Sequence, residues 1–302
     1  MTTTRSASSG HRVTWWQRLP LHAVVIAVVV LWSIPTLGLL VSSFREPSAI
    51  ASSGWWQAFT HPDQLTLANY ERVLGEQGMG RAFVNSLLIT VPATVLVILV
   101  AAHAAYALAW MRFPARGLIF LVIVGLLVVP LETTLIPVLR LFSHTTIERE
   151  LPLLGGNVFG TASYTGMWLA HAGYGLPFAV FLLRNFFVSL PRDLVEAAHL
   201  DGASDLQVFW RVILPLSLPA IAALAIFQFL WVWNDLLIAL VLLGDPTLAP
   251  MTLKITNLVS SFGTSYQVLT AAAFLSMALP LVVFFAFQRF FVQGMLAGAV
   301  KG

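Results

Sequence analysis

The sequence contains no cysteine, so it has no disulfide framework, thiolate nucleophile or cysteine metal site. Its only lysines are Lys254 and Lys301, neither preceded by glycine, which excludes a P-loop ending in Gly-Lys-Ser/Thr. No two histidines stand at i, i+4 spacing, and no His-Glu-x-x-His or Gly-x-Ser-x-Gly run occurs. We therefore predict a chain that is not an enzyme and holds no metal or cofactor.

Charge is also scarce. Only 10% of the 302 residues are charged, against about 25% in an ordinary soluble domain. Hydrophobic residues make up 58% of the chain and the mean hydropathy is +0.86. This is more apolar surface than one globule of this length can hide, so the expected surroundings are membrane lipid. The net charge of +3 includes no clustered basic face, and no nucleic-acid partner is predicted.

Long uncharged stretches predict an all-α integral membrane protein, since helices satisfy their own backbone in lipid. The third stretch, residues 117–139, is interrupted by one charge, that of Glu132. Prolines inside the spans are expected not to interrupt them, because neighbouring helices re-satisfy the freed carbonyls. The prolines are Pro35, Pro92, Pro130, Pro177 and Pro280. The six predicted helices lie near residues 21–43, 84–110, 117–141, 164–189, 215–243 and 269–292.

The distribution of arginine and lysine sets the orientation. With the N-terminus inside, ten basic residues fall on the inner side and six on the outer side, so both termini are predicted to be cytoplasmic. The first apolar stretch is too long for a signal peptide and is interpreted as a retained anchor. We predict a cytoplasmic tail at 1–20, a transmembrane domain at 21–293 and a second cytoplasmic tail at 294–302.

The inner loop at 191–215 has the strongest local signals. Its pattern predicts two short helices: Pro191 at a first helical position, a stop at Gly202, and a capping box of Ser204 with Gln207. The pattern permits a helix pair lying at the membrane interface. It also permits a docking element in which small residues admit another protein and Glu196 offers a carboxylate.

This loop resembles the EAA signature of permease subunits of binding-protein-dependent ABC importers. The matching positions are Glu196-Ala197-Ala198, Gly202 and Val212-Ile213-Leu214-Pro215, with Val212 where the family commonly has isoleucine. Further likeness to the maltose-permease type, and within it to α-glucoside permeases, extends over nearly the whole chain. Supporting sequences are Asn85-Ser86-Leu87, Leu176-Pro177-Phe178, Trp233-Asn234-Asp235 and the terminal Gly298-Ala299-Val300-Lys301-Gly302.

The resemblance implies a type I ABC importer permease fold in the inner membrane of a prokaryote. The implied partners are a second permease subunit, two ATPase subunits that bind ATP and magnesium, and an extracytoplasmic sugar-binding protein. The tail would make a second ATPase contact through Gly298, Ala299 and Lys301, although without the resemblance a frayed end is the simpler interpretation. The residues implied to couple to the ATPase are Glu196, Ala197, Ala198, Asp201, Gly202, Ala203, Leu214 and Pro215.

Glu132 and Asp235 are the acids within predicted spans, and an intramembrane acid is a functional hypothesis by default. We predict a sugar path that they share with Gln228, Asn234 and an aromatic face at Trp233 or Trp231. Interface-level polar residues or hydrogen bonds between helices remain the alternative for both acids.

The predicted function is import of an α-glucoside or a similar small glycoside by alternating access. A proton-coupled secondary transporter that uses Glu132 and Asp235 is the alternative. His103 and His171 are interpreted as hydrogen-bonded residues of the bundle rather than as ligands.

Overall fold

The computed structural model describes residues 15–150, 156–262 and 265–299, with side chains for 19–148, 156–259 and 265–289. The chain is mostly helical and has one short antiparallel pair of strands. The first half contains α1 (Trp15–Ser43), α2 (Pro47–Ser52), α3 (Ala68–Leu74), α4 (Met79–Trp110), α5 (Arg116–Leu126), α6 (Leu131–His144), β1 (Ile147–Glu150) and β2 (Asn157–Phe159). The second half contains α7 (Tyr164–Ser189), α8 (Arg192–Leu200), α9 (Asp205–Val208), α10 (Leu214–Leu216), α11 (Leu218–Trp233), α12 (Leu237–Leu242), α13 (Met251–Phe262) and α14 (Tyr266–Ala299).

The chain divides into two compact units, the first made of residues 1–70 and 265–271. Its organising side chain is Arg45, which is 1% exposed. The guanidinium donates to Gln64 Oε1 at 2.8 Å, to the Ala49 carbonyl at 2.9 Å and to the Ser53 hydroxyl. These neutral acceptors satisfy the buried cation and tie the segment after α1 into a fixed loop.

The second unit, residues 71–264 and 272–302, is built around α4, α7 and α11. Small side chains let α4 and α7 approach closely, as is typical of helix packing in membranes. The buried alanines of this cluster are Ala101, Ala102 and Ala105 on α4 and Ala172 and Ala179 on α7. Large buried side chains such as Leu183 and Phe187 fill the same core toward one end of α7.

Among the described residues, four helices are long and apolar enough to cross a membrane: 19–43 within α1, α4, α7 and 266–289 within α14. Two further spans are formed only if bent helix pairs are counted, giving up to six. The predicted spans at 21–43, 84–110, 164–189 and 269–292 therefore correspond to single helices, and Pro35, Pro92, Pro177 and Pro280 lie inside them.

The predicted continuous helix at 117–141 is wrong. α5 ends at Leu126, α6 begins at Leu131, and the two meet at an angle of 102°. Pro130 is the N-cap of α6, with an extended backbone, instead of lying within a helix. A proline cannot donate the hydrogen bond that would continue α5, and it biases the preceding residue away from helical geometry.

The predicted span at 215–243 is also broken. The helical stretch ending at Leu216 meets α11 at 75°, and α11 ends at Trp233 before α12 begins at Leu237. The second break is stabilised by Asp235, whose carboxylate accepts hydrogen bonds from the backbone of Ile238 at 3.4 Å and Ala239 at 3.2 Å. The side chain thus satisfies donors of the first turn of α12, as an N-cap does.

Candidate functional site

The loop at 191–215 forms the predicted pair of helices with a hinge between them. α8 ends in Asp201 as C-cap, and Gly202 follows at φ +81° and donates its N–H to the His199 carbonyl at 3.0 Å. The capping box is confirmed: Ser204 N–H donates to Gln207 Oε1 at 2.9 Å, and Gln207 N–H donates to the Ser204 hydroxyl. Glycine enters the left-handed region without a Cβ penalty, so Gly202 makes the sharp turn possible.

One local expectation for this loop is wrong and another holds only in part. Pro191 precedes α8 as its N-cap, so Arg192 is the first helical residue. The i, i+3, i+4, i+7 spacing of Leu206, Phe209, Trp210 and Ile213 predicts one amphipathic face. Phe209 and Ile213 are buried, whereas Leu206 is 62% exposed and Trp210 47% exposed. A π-helix at Phe209–Ile213 follows α9.

The buried side of the loop joins the membrane core directly. Val195 of α8 together with Val208, Phe209 and Ile213 belongs to the same buried cluster as α4, α7 and α11. The Phe209 ring lies 5.3 Å from that of Tyr106 on α4. The loop is therefore close-packed against the spans, and such packing has low compressibility.

The opposite side of the loop is open. Glu196 and Ala197 are exposed. Within the described part of the chain Glu196 makes no ion pair, although Arg192 stands four residues earlier on the same helix, the spacing of an i, i+4 pair. Asp201, Gly202 and Pro215 are also exposed, while Ala198, Ala203 and Leu214 are half-buried. The loop thus presents one carboxylate and several small residues on a surface whose reverse side is anchored in the core.

The predicted sugar-path residues do not share one surface in this chain. Gln228 is 1% exposed and packs against Gly175, where an added Cβ would lie 2.6 Å from its Nε2. Trp233 is 1% exposed, stacks on Phe229 and donates its indole N–H to the Ser276 carbonyl at 3.0 Å. Both side chains therefore pack between helices.

Trp233 and Asp235 do line one small cavity of about 10 Å³, the size of one water molecule. His171 lines it too, with Nε2 3.8 Å from Asp235 Oδ2, which is too far for a hydrogen bond. Glu132, in the first turn of α6, and Asn234, which donates to the Leu230 carbonyl at 2.7 Å, are exposed. The structure thus brings two of the five predicted path residues together.

Of the two histidines interpreted as hydrogen-bonded residues of the bundle, only His103 has such a contact. His103 Nδ1 lies 2.7 Å from the Leu99 carbonyl one turn earlier. Neither ring nitrogen of the buried His171 has a hydrogen-bond partner in the described part of the chain, so the expected hydrogen bond of His171 is absent. Sequence reasoning missed its place beside Asp235, although a lone histidine in an apolar span was the available signal.

Asn85 is a second residue whose role sequence reasoning missed. Its amide donates to the carbonyls of Thr247 at 2.9 Å and Ala249 at 3.0 Å and accepts from the Tyr164 hydroxyl at 2.8 Å. One buried side chain therefore joins α4, α7 and the loop before α13.

We expect Asn85→Leu to lower the free energy of unfolding by about 2 kcal/mol, because it leaves buried polar groups unpaired. Thr94→Val is the matched control, since Thr94 lies on the same helix with a buried hydroxyl that has no partner in the described residues. Thermal unfolding in detergent should show a melting temperature about 5 °C lower for Asn85→Leu alone. Equal shifts in both variants would contradict the assignment.

The predicted tail contact lies at the edge of the described chain. Gly298 and Ala299 are in the last turn of α14, where side chains are not described, and Lys301 lies outside the described residues. Their contact with an ATPase stays a prediction.

A family profile described as "binding-protein-dependent transport system inner membrane component" matches residues 82–297. The chain belongs to this family. The chain is 51% identical to the osmoprotective compounds uptake permease protein GgtD of Synechocystis sp., over 98% of this chain and 97% of GgtD. It is 39% identical to the α-glucoside transport system permease protein AglG of Rhizobium meliloti, over 96% of this chain and 98% of AglG.

The fold of this inner membrane component is that of solved ABC importer permeases. A chain of a bacterial ABC transporter that imports the acidic polysaccharide alginate superposes with a TM-score of 0.70 and 21% identity, covering 95% of this chain and all of the other. A second structure holds that type of transporter with an alginate pentasaccharide-bound periplasmic protein, at a TM-score of 0.60 and 15% identity over 89% and 92% of the two chains. The predicted fold class, a helical type I importer permease, is confirmed.

Proposed function

We propose that this chain is one of two different permease subunits of an ATP-driven importer of α-glucosides or similar small glycosides. The observation that carries the proposal is the loop at 191–215, with Glu196 exposed and its reverse side packed into the core of α4, α7 and α11. Such a loop suits a coupling element between a membrane path and a cytoplasmic motor. The motor would be two ATPase subunits, which bind the ATP and magnesium that this chain has no motif to hold.

The mechanism is alternating access. Closure of the ATPase subunits around ATP moves α8, and Val195 and Phe209 pass that movement to the spans. The permease pair then opens toward an extracytoplasmic sugar-binding protein and, after hydrolysis, toward the cytoplasm. The permease itself forms and breaks no covalent bond.

The substrate class rests on the relatives. AglG is named for α-glucosides and GgtD for osmoprotective compounds. A small glycoside is compatible with both names. The path candidates in this chain remain Glu132, Gln228, Trp233, Asn234 and Asp235.

Uptake into proteoliposomes tests the proposal. The chain, co-purified with its partner permease, ATPase subunits and binding protein, is expected to accumulate radiolabelled α-glucosides only when ATP is inside the vesicle. Uptake driven by a proton gradient without any ATPase would instead establish the secondary transporter. No comparison supports that alternative, and Asp235 is already engaged by two backbone N–H groups.

The orientation of the chain in the membrane can be tested by cysteine labelling, because the natural sequence has no cysteine that would react in the background. We expect a membrane-impermeant maleimide to label Ser48→Cys, in the exposed part of α2, from outside intact cells. Leu200→Cys, whose parent side chain is 89% exposed on α8, should react only in inverted vesicles. The reverse pattern would place both termini outside and contradict the proposed coupling loop.

A further inference from the structure

A pocket of about 610 Å³ lies between the ends of α4 and α7 and the start of α8, a volume typical of small-molecule sites. Three arginines line it, Arg112, Arg116 and Arg192, against a single carboxylate, that of Glu196. In the described part of the chain, Arg112 and Arg192 have no hydrogen-bond or ion-pair partner, while Arg116 donates to the Met111 carbonyl at 2.9 Å. The surplus positive charge is therefore not neutralised by any residue that the structure describes.

Backbone groups add to that positive potential. Arg116 is the first residue of α5 and Arg192 the first residue of α8, so two helix N-termini meet at the pocket. Neither helix has a side-chain N-cap. First-turn N–H groups and the helix dipole both favour an anion at such a position, although Asp193 in the first turn of α8 offsets part of the effect.

Two other side chains of the lining offer no donor to a ligand. Trp110, at the end of α4, lines the pocket with its ring, but its indole Nε1 is inaccessible to solvent and has no hydrogen-bond partner in the described residues. His199, also in the lining, is not available, because its ring nitrogens lie 3.1 Å from the Ala203 carbonyl and 3.6 Å from Asp205.

We propose that this pocket binds the phosphate headgroup of an anionic phospholipid. The site combines arginines with the ends of membrane-spanning helices, and basic pockets between such helices on the cytoplasmic side recognise anionic headgroups. Glu196 and Arg192 both belong to α8, the helix proposed to contact the ATPase, so a bound lipid would hold α8 against α4. The inference rests on the proposed function only in placing this end of the spans at the cytoplasmic leaflet.

The test is native mass spectrometry of the complete transporter, titrated with phosphatidylglycerol or with phosphatidylcholine. We expect a preference for phosphatidylglycerol, reduced about fivefold by Arg112→Gln or Arg192→Gln and about twenty-five-fold by the pair. The matched control is Arg211→Gln, which removes an exposed arginine of the same loop outside the pocket and should change nothing.

Three results would overturn the inference. An equal loss in Arg211→Gln would reduce it to general charge attraction, and displacement of the lipid by inorganic phosphate would make the site one for free anions. A preference that appears only after the ATPase subunits are removed would assign the arginines to that partner. ATP-dependent uptake measured on the same preparation separates the two proposals, because it tests the importer whether or not the lipid binds.

Discussion

Replacement of Gly202 by proline is expected to lower sugar-stimulated ATP hydrolysis about a hundredfold while the subunits still assemble. Gly202 stands at φ +81°, which proline cannot adopt, and its N–H donates to the His199 carbonyl at 3.0 Å, which proline cannot do. The turn between α8 and α9 must then rearrange. Since the site is exposed and nothing lies within 4 Å of an added Cβ, the damage should stay local.

Gly202→Asn is the control that isolates backbone conformation from side-chain presence. Asparagine enters the left-handed region more readily than other residues with a Cβ and keeps the N–H. It should retain most of the coupled hydrolysis, measured in proteoliposomes with binding protein and sugar. Equal rates for the proline variant and the wild type would show that the turn does not transmit the ATPase movement.

Glu196→Lys is expected to lower coupled hydrolysis about thirtyfold or more. The substitution replaces a carboxylate that would pair with a donor on the ATPase by a positive charge, which the same donor would repel. Glu196 is exposed and makes no ion pair in the described chain, so the free energy of unfolding should change by no more than about 0.5 kcal/mol. A large loss of activity with unchanged stability is the signature of a contact outside this chain.

Asp193→Lys is the matched control for that substitution. Asp193 is an exposed acid one turn earlier on α8, so the same change of charge is made on the same helix. It should leave coupled hydrolysis within about twofold of the wild type. If both variants lose activity equally, the surface charge of α8 matters and the particular position of Glu196 does not.

The parts of the structure that local chemistry determines could be predicted from the sequence. The turn at Gly202 needs a residue that tolerates positive φ, and the box of Ser204 with Gln207 satisfies donors within three residues. Long apolar runs likewise predicted six spans, and four of these are uninterrupted helices in the described residues. Each of these features depends on a short stretch of chain, so no knowledge of tertiary contacts was required.

The parts that depend on tertiary contacts could not be predicted. Pro130 breaks its span whereas Pro92 and Pro177 do not, and sequence alone does not show which carbonyls a neighbouring helix will satisfy. The π-helix at Phe209–Ile213 was not expected, and Val208 is buried whereas Leu206, part of the predicted apolar face, is exposed. The burial of Gln228 follows from Gly175, a residue on another helix and far away in sequence.

The most direct test of the central claim is a cross-link from α8 to the ATPase. Ala197→Cys introduces the only thiol of the chain, on the exposed side of α8. A photoreactive maleimide attached to that thiol forms a covalent cross-link to whichever molecule lies next to it. We predict a cross-link to the ATPase subunit whose yield changes when ATP is bound, and no such product from Ser48→Cys on α2. A cross-link from Ala197→Cys to lipid alone, unaffected by ATP, would show that this loop lies at the membrane interface and couples to no motor.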